Sequence, residues 1–171
     1  AALRAADFAG LGIEVEVALV VKHDLPALPE GYKAADMPSA IASLHVALEI
    51  LSSRFIERTK VPQLTGIADL QSSGGVVLGP AVAAATLPEF GQQALVLEMD
   101  GNAVASTAGN ATTANMMTAL AWLANHAAAR GLPLAAGTIV ITGARLGPVA
   151  LSGKKVEARG DGLGKVSVTF D

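Results

Sequence analysis

The nine residues IEVEVALVV, 13–21, alternate with the period of a β-strand. Successive side chains on a strand point to opposite faces. Ile13, Val15, Val17 and Leu19 therefore share one face, and Glu14, Glu16, Ala18 and Val20 share the other. The first reads as a core face. The second carries two carboxylates about 6–7 Å apart, twice the rise of a strand. If that face meets water, this is an ordinary half-buried strand. If it lines a pocket, the carboxylates need a cation, because unpaired buried carboxylates are too costly.

Composition narrows the function classes. Of the 171 residues, 51% are apolar, enough for a sizeable core, and one domain over 1–171 is expected. The net charge is −3, with no block of like charge. Nothing would neutralise a row of phosphates or hold an anionic membrane, so no nucleic-acid or membrane partner is expected. Cysteine is absent, which excludes disulfides, thiolate metal sites and cysteine nucleophiles. No apolar run approaches the roughly 18 residues a membrane span needs. The first twelve residues, with Arg4 and Asp7, lack the apolar core of a secretion signal. A cytoplasmic protein is expected.

Along the chain, strands outnumber helices. KHDLPALPEGYKAADMP reads as a loop from its prolines and glycine. PSAIASLHVALEI reads as a helix opened by Pro38 that passes into a strand near residue 46. SSRFIERTKVPQLTGIADLQSSGG is polar and irregular. QQALVLEMDGNAVASTAG predicts a hairpin about an Asp100-Gly101 turn. TTANMMTALAWLANHAAARGLPL is the clearest helix, capped by Thr112 or Thr113, striped by Leu120, Leu123 and Ala127, and stopped by Gly131 and Pro133. Further strands fall in AGTIVITGA, LSGKKVEARGDGLG and KVSVTFD. The order predicts an α+β fold with a mixed, rolled or barrel-like sheet and a few helices.

Two carboxylates on one strand more often form a solvated face than a metal site. A third acid would change that, and Glu49, flanked by apolar residues in VALEI, is the candidate. All-oxygen ligation suits Mg2+, Mn2+ or Ca2+ rather than zinc. His23, His45 and His126 show no ligand spacing and read as structural or exposed. SSGG at 72–75 is either a turn or a pocket of backbone N–H groups.

Taken together, IEVEVALVVKHDLP, HVALEILSSR, IADLQSSGGVVLGP, ALAWLANHAAARGLPLAAGTIVITG and GLGKVSVTF resemble the 2-keto-4-pentenoate hydratase and 4-oxalocrotonate decarboxylase family of the fumarylacetoacetate hydrolase superfamily. The resemblance runs from about residue 8 to the end. It implies a mixed β-roll and a divalent cation, Mg2+ or Mn2+, on Glu14, Glu16 and Glu49. It further implies catalytic roles for Ser72 and Asp69, and substrate contacts from Ser73 and Thr142. The spacing from Glu49 leaves Ser72 and Ser73 as alternatives for the serine that approaches the substrate.

The implied activity is a lyase reaction on a short 2-oxo acid in aromatic catabolism, either hydration of 2-hydroxypenta-2,4-dienoate-type compounds or decarboxylation of 4-oxalocrotonate-type compounds. A superfamily C–C hydrolase, an oxaloacetate-type decarboxylase and a non-catalytic ligand-binding or assembly subunit are the alternatives. The family carries a lysine and an aspartate ahead of the E-x-E strand. This sequence begins almost at that strand, and Lys22 and Lys60 lie in loop-like stretches, so a chain lacking the N-terminal region is expected. The apolar composition and open sheet edges suggest a homo-oligomer.

Overall fold

The computed structural model describes residues 1–10, 12–109 and 111–171. Among the described residues, eleven strands fall into two sheets. The first contains β1 (Ala2–Leu3), β6 (Ala94–Met99), β7 (Asn102–Ala108), β10 (Lys155–Gly160) and β11 (Gly164–Phe170), in the order β1-β11-β10-β6-β7. Only β1 runs parallel to its neighbour. The second contains β2 (Gly12–Val21), β3 (Ile41–Leu51), β4 (Ser73–Leu78) and β8 (Ile139–Ile141), in the order β4-β3-β2-β8. The short β5 (Val82–Ala83) adds to β3, and β9 (Leu146–Ala150) adds to β2. This is the α+β architecture expected from the sequence, with mixed pairing and few helices.

Burial follows the alternation. Ile13, Val15, Val17 and Leu19 all enter the core, with Leu44, Val46, Leu48 and Ile50 beside them on β3. Leu95, Leu97, Val156, Ala158, Val166 and Val168 close it from the other sheet. Each such valine, leucine or isoleucine side chain contributes roughly 1.5–3 kcal/mol by leaving water.

The expected helix before residue 46 is not formed. Residues Ala34–Ala40 make a 3-10 turn containing Pro38, and the strand starts at Ile41. In this segment the apolar residues satisfy both periods. Pairing with β2 along its length decides in favour of the strand, since each residue from Ile41 to Leu51 gains a cross-strand partner or an adjacent place in the ladder.

The hairpin is as expected, with Asp100 and Gly101 both at positive φ (47° and 82°), the geometry a two-residue turn between twisted strands requires. The long helix, α2 (Thr113–Ala129), also matches; the polar stretch before it holds one short helix, α1 (Gln63–Ala68). Thr112 Oγ1 accepts from the Asn115 N–H, and Asn115 Oδ1 accepts from the Thr112 N–H, a reciprocal cap. At the far end Leu132 N–H donates to Ala127 O and Gly131 N–H to Ala128 O, closing the helix through a left-handed glycine. The buried face is Met116, Met117, Leu120, Ala121 and Ala124 rather than the expected stripe. Leu123 and Ala127 lie on its flank, half-buried. No helix among the described residues is long and apolar enough to cross a membrane.

Candidate metal centre

The carboxylates meet because of register. Glu14 on β2 stands directly opposite Glu49 on β3, and Glu16 lies two residues along the same face. One carboxylate oxygen from each of the three lies within 4.8 Å of the other two. The face is not solvated: Glu16 is 2% exposed and Glu49 7%, with Glu14 half-buried.

Two breaks in the flanking strands open the site. β8 pairs with β2 at residues 18–20 and β9 at residues 12–15. The chain between them, 142–145, bridges the gap. Thr142 N–H donates to Val17 O, Arg145 N–H donates to Val15 O, and Gly143 N–H turns inward to Glu16 Oε2 at 2.7 Å. On the other side, residues 70–72 carry three consecutive left-handed residues, Leu70, Gln71 and Ser72. Non-glycine residues in that region cost about 1–3 kcal/mol each. The strained segment lays Leu70 and Gln71 over the carboxylates. Together Glu14, Glu16, Glu49, Arg58, Leu70, Gln71, Ile141, Gly143 and Ala144 enclose a cleft of about 310 Å³.

The electrostatics are those of a site short of positive charge. Burial pushes the Glu16 carboxyl up to about 7; the Gly143 N–H pulls it back, and Glu49 and Glu14 add to the rise. Glu14 is raised as well, first by burial and then by Glu49, while Arg58 opposes the rise. Behind Glu16 the buried Arg145 donates to Ala111 O and Met116 Sδ; burial lowers its pKa and the nearby Glu16 charge opposes that. A close set of carboxylates of this kind, deprived of water, has the donor chemistry of a site for a hard divalent cation.

The other residues singled out in the sequence fall outside this cleft. Asp69 is held by Arg54 in an ion pair, and the same guanidinium donates to Ser73 O at 2.8 Å. Ser72 is buried and lines a neighbouring cavity of about 270 Å³ with Gly10, Gly12 and Pro148. Ser73 opens β4. Thr142 donates its hydroxyl to Val17 O at 2.8 Å and faces an apolar pocket of about 390 Å³ beside Met116 and Trp122. The cleft instead draws on Gly143, Arg58 and Gln71. Of these only Gly143 had a signal in the sequence, as the glycine after Thr142 at the end of a strand.

Gly147 sits against the same strand at φ +107°, and a Cβ there would lie 2.6 Å from Ile13 O and 3.1 Å from Glu14 Cα. Gly147→Ala is expected to destabilise the protein by about 2 kcal/mol and to displace Glu14, read by denaturant unfolding.

Residues 2–171 match the fumarylacetoacetate (FAA) hydrolase C-terminal family. The chain belongs to this family. It is 37% identical over 164 residues to a 2-keto-4-pentenoate hydratase of Burkholderia vietnamiensis, covering 92% of this chain and 60% of the relative. It is 31% identical over 159 residues to a 4-oxalocrotonate decarboxylase of Pseudomonas putida, covering 92% and 59%. Among solved structures, the 4-oxalocrotonate decarboxylase from Pseudomonas putida G7, complexed with magnesium and adipate, superposes with a TM-score of 0.84 at 26% identity, covering 99% of this chain and 64% of that one. The chain thus spans about three-fifths of the length of the curated relatives it matches. Those relatives of this fumarylacetoacetate hydrolase family chain are hydratases and decarboxylases that act on small molecules.

Proposed function

We propose that this chain carries the cation-binding centre of a lyase acting on short unsaturated 2-oxo acids, with hydration of a 2-hydroxypenta-2,4-dienoate-type compound as the reaction. The observation that carries the reading is the convergence of Glu14, Glu16 and Glu49 in one buried cleft. Its support is the donor set, the raised carboxyls, and the magnesium in a related decarboxylase.

Glu14, Glu16 and Glu49 would hold Mg2+ or Mn2+. A bound dication there would draw electron density from the 2-oxo and carboxylate oxygens of the substrate and so stabilise its enolate form. The Gly143 N–H fixes the orientation of the Glu16 carboxylate, leaving its other oxygen for the cation. Leu70 and Ile141 give the cleft an apolar wall suited to the hydrocarbon end of a dienoate. Thr142 and Ser72 act from behind, shaping the loops that carry Gly143 and Gln71. Asp69 acts through Arg54 to hold the 54–73 segment in place.

Decarboxylation is the second reading, favoured by the superposition on the Pseudomonas decarboxylase. Incubation of the Mn2+-loaded protein with 2-hydroxypenta-2,4-dienoate, 4-oxalocrotonate and oxaloacetate separates the two. The expected result is loss of the dienoate with water added at C4 and no CO2 from the other acids. CO2 release with an untouched dienoate would reverse the order. Bound Mn2+ with no turnover of any substrate would mark a ligand-binding subunit.

A further inference from the structure

Three carboxylates and one dication leave a surplus negative charge in the cleft, into which a 2-oxo acid must bring another. The Coulomb cost is large where water is excluded. Arg145 lies close enough to Glu16 for their charges to interact but does not line the cleft, and the cleft contains one cationic side chain among its described lining residues, Arg58.

Three of the other arginines are held in ion pairs. Arg4 pairs with Asp7, Arg54 with Asp69 and Arg159 with Glu98. Arg130 meets His126, and Arg145 donates to Ala111 O and Met116 Sδ, its buried Nε without a partner, and does not line the cleft. Among the described residues no ion pair holds Arg58. It stands at the start of the 3-10 turn Arg58–Lys60, exposed, and borders both the carboxylate cleft and the adjoining cavity that holds Ser72. A guanidinium offers a planar fork of donors matched to a carboxylate.

We propose that Arg58 binds the carboxylate of the 2-oxo acid, offsetting the charge that the acid brings into the cleft and selecting anionic over neutral 2-oxo compounds. This deepens the cation reading above and rests on it.

The test uses Mn2+ and two probes of equal shape, pyruvate and its neutral amide, with binding read by Mn2+ paramagnetic resonance and calorimetry. In Arg58→Gln, Mn2+ binding is expected to stay within about threefold of wild type. Pyruvate affinity for the Mn2+-loaded chain is expected to fall roughly tenfold, the scale of one charge-assisted hydrogen bond at a partly exposed site. The affinity for the amide stays unchanged, and Arg58→Lys recovers most of the loss. Unchanged pyruvate affinity in Arg58→Gln, or an equal loss for both probes, overturns the assignment while leaving the cation centre standing. Absence of Mn2+ binding in wild type overturns both.

Discussion

Replacing Glu16 by glutamine is expected to weaken cation binding severely and yet to stabilise the metal-free protein above pH 7. The carboxylate is 2% exposed and its pKa is pushed up to about 7 from an ordinary 4.5. Holding it ionised in the folded chain therefore costs up to about 3 kcal/mol at pH 8. An amide removes that cost, and its oxygen still accepts from Gly143. What is lost is one charged donor of three, and hard-cation affinity follows the number of charged donors. Mn2+ affinity should fall roughly 100-fold or more. A Mn2+ titration beside thermal melts at pH 8 without metal checks both halves. Wild-type affinity in the variant would contradict the ligand assignment.

The second large effect is in pH. Between about 4.5 and 7 the folded, metal-free chain retains a proton on Glu16 that the unfolded chain has released. Metal-free stability therefore falls as pH rises through that window and levels off above it. Cation binding has the opposite slope, because the proton must leave before the carboxylate can ligate. Mn2+ affinity should rise roughly tenfold per pH unit up to about 7 and then flatten, a span of about 100-fold from pH 5. Calorimetry in two buffers of different ionisation heat should show close to one proton released per ion at pH 6. Affinity independent of pH between 5 and 7 would show that Glu16 is not the residue being deprotonated.

Much of this site was legible in the sequence because strands impose a strict rule. Alternation alone placed Glu14 and Glu16 on one face and the core on the other. Glu49 was harder. IASLHVALEI satisfies a helical stripe as well as a period of two, and only pairing with β2 removes the ambiguity. Its apolar flanks marked Glu49 as a candidate, and the resemblance to the family implied its role as a ligand, where periodicity could not. Arg58, Leu70 and Gln71 were out of reach for another reason. They sit on a loop whose path depends on three left-handed residues, none of them glycine, and no local pattern announces that conformation. Ser72 illustrates the cost: its side chain is carried into the adjacent cavity by the same turn that brings Gln71 over the cleft. At Thr142 the hydroxyl donates to Val17 O, while the next residue's N–H reaches Glu16.

The candidate ligands all project from β2 and β3, which are paired residue by residue, whereas much of the surrounding wall comes from connecting segments. Such a division separates what must stay constant from what is free to vary. Insertions or exchanges in residues 54–72 or 142–145 could reshape the chamber without moving the anchoring acids, so one scaffold could be diverted from one transformation to another by remodelling its connections alone. A lineage that contains both water-adding and carbon-dioxide-releasing members is what that arrangement would permit.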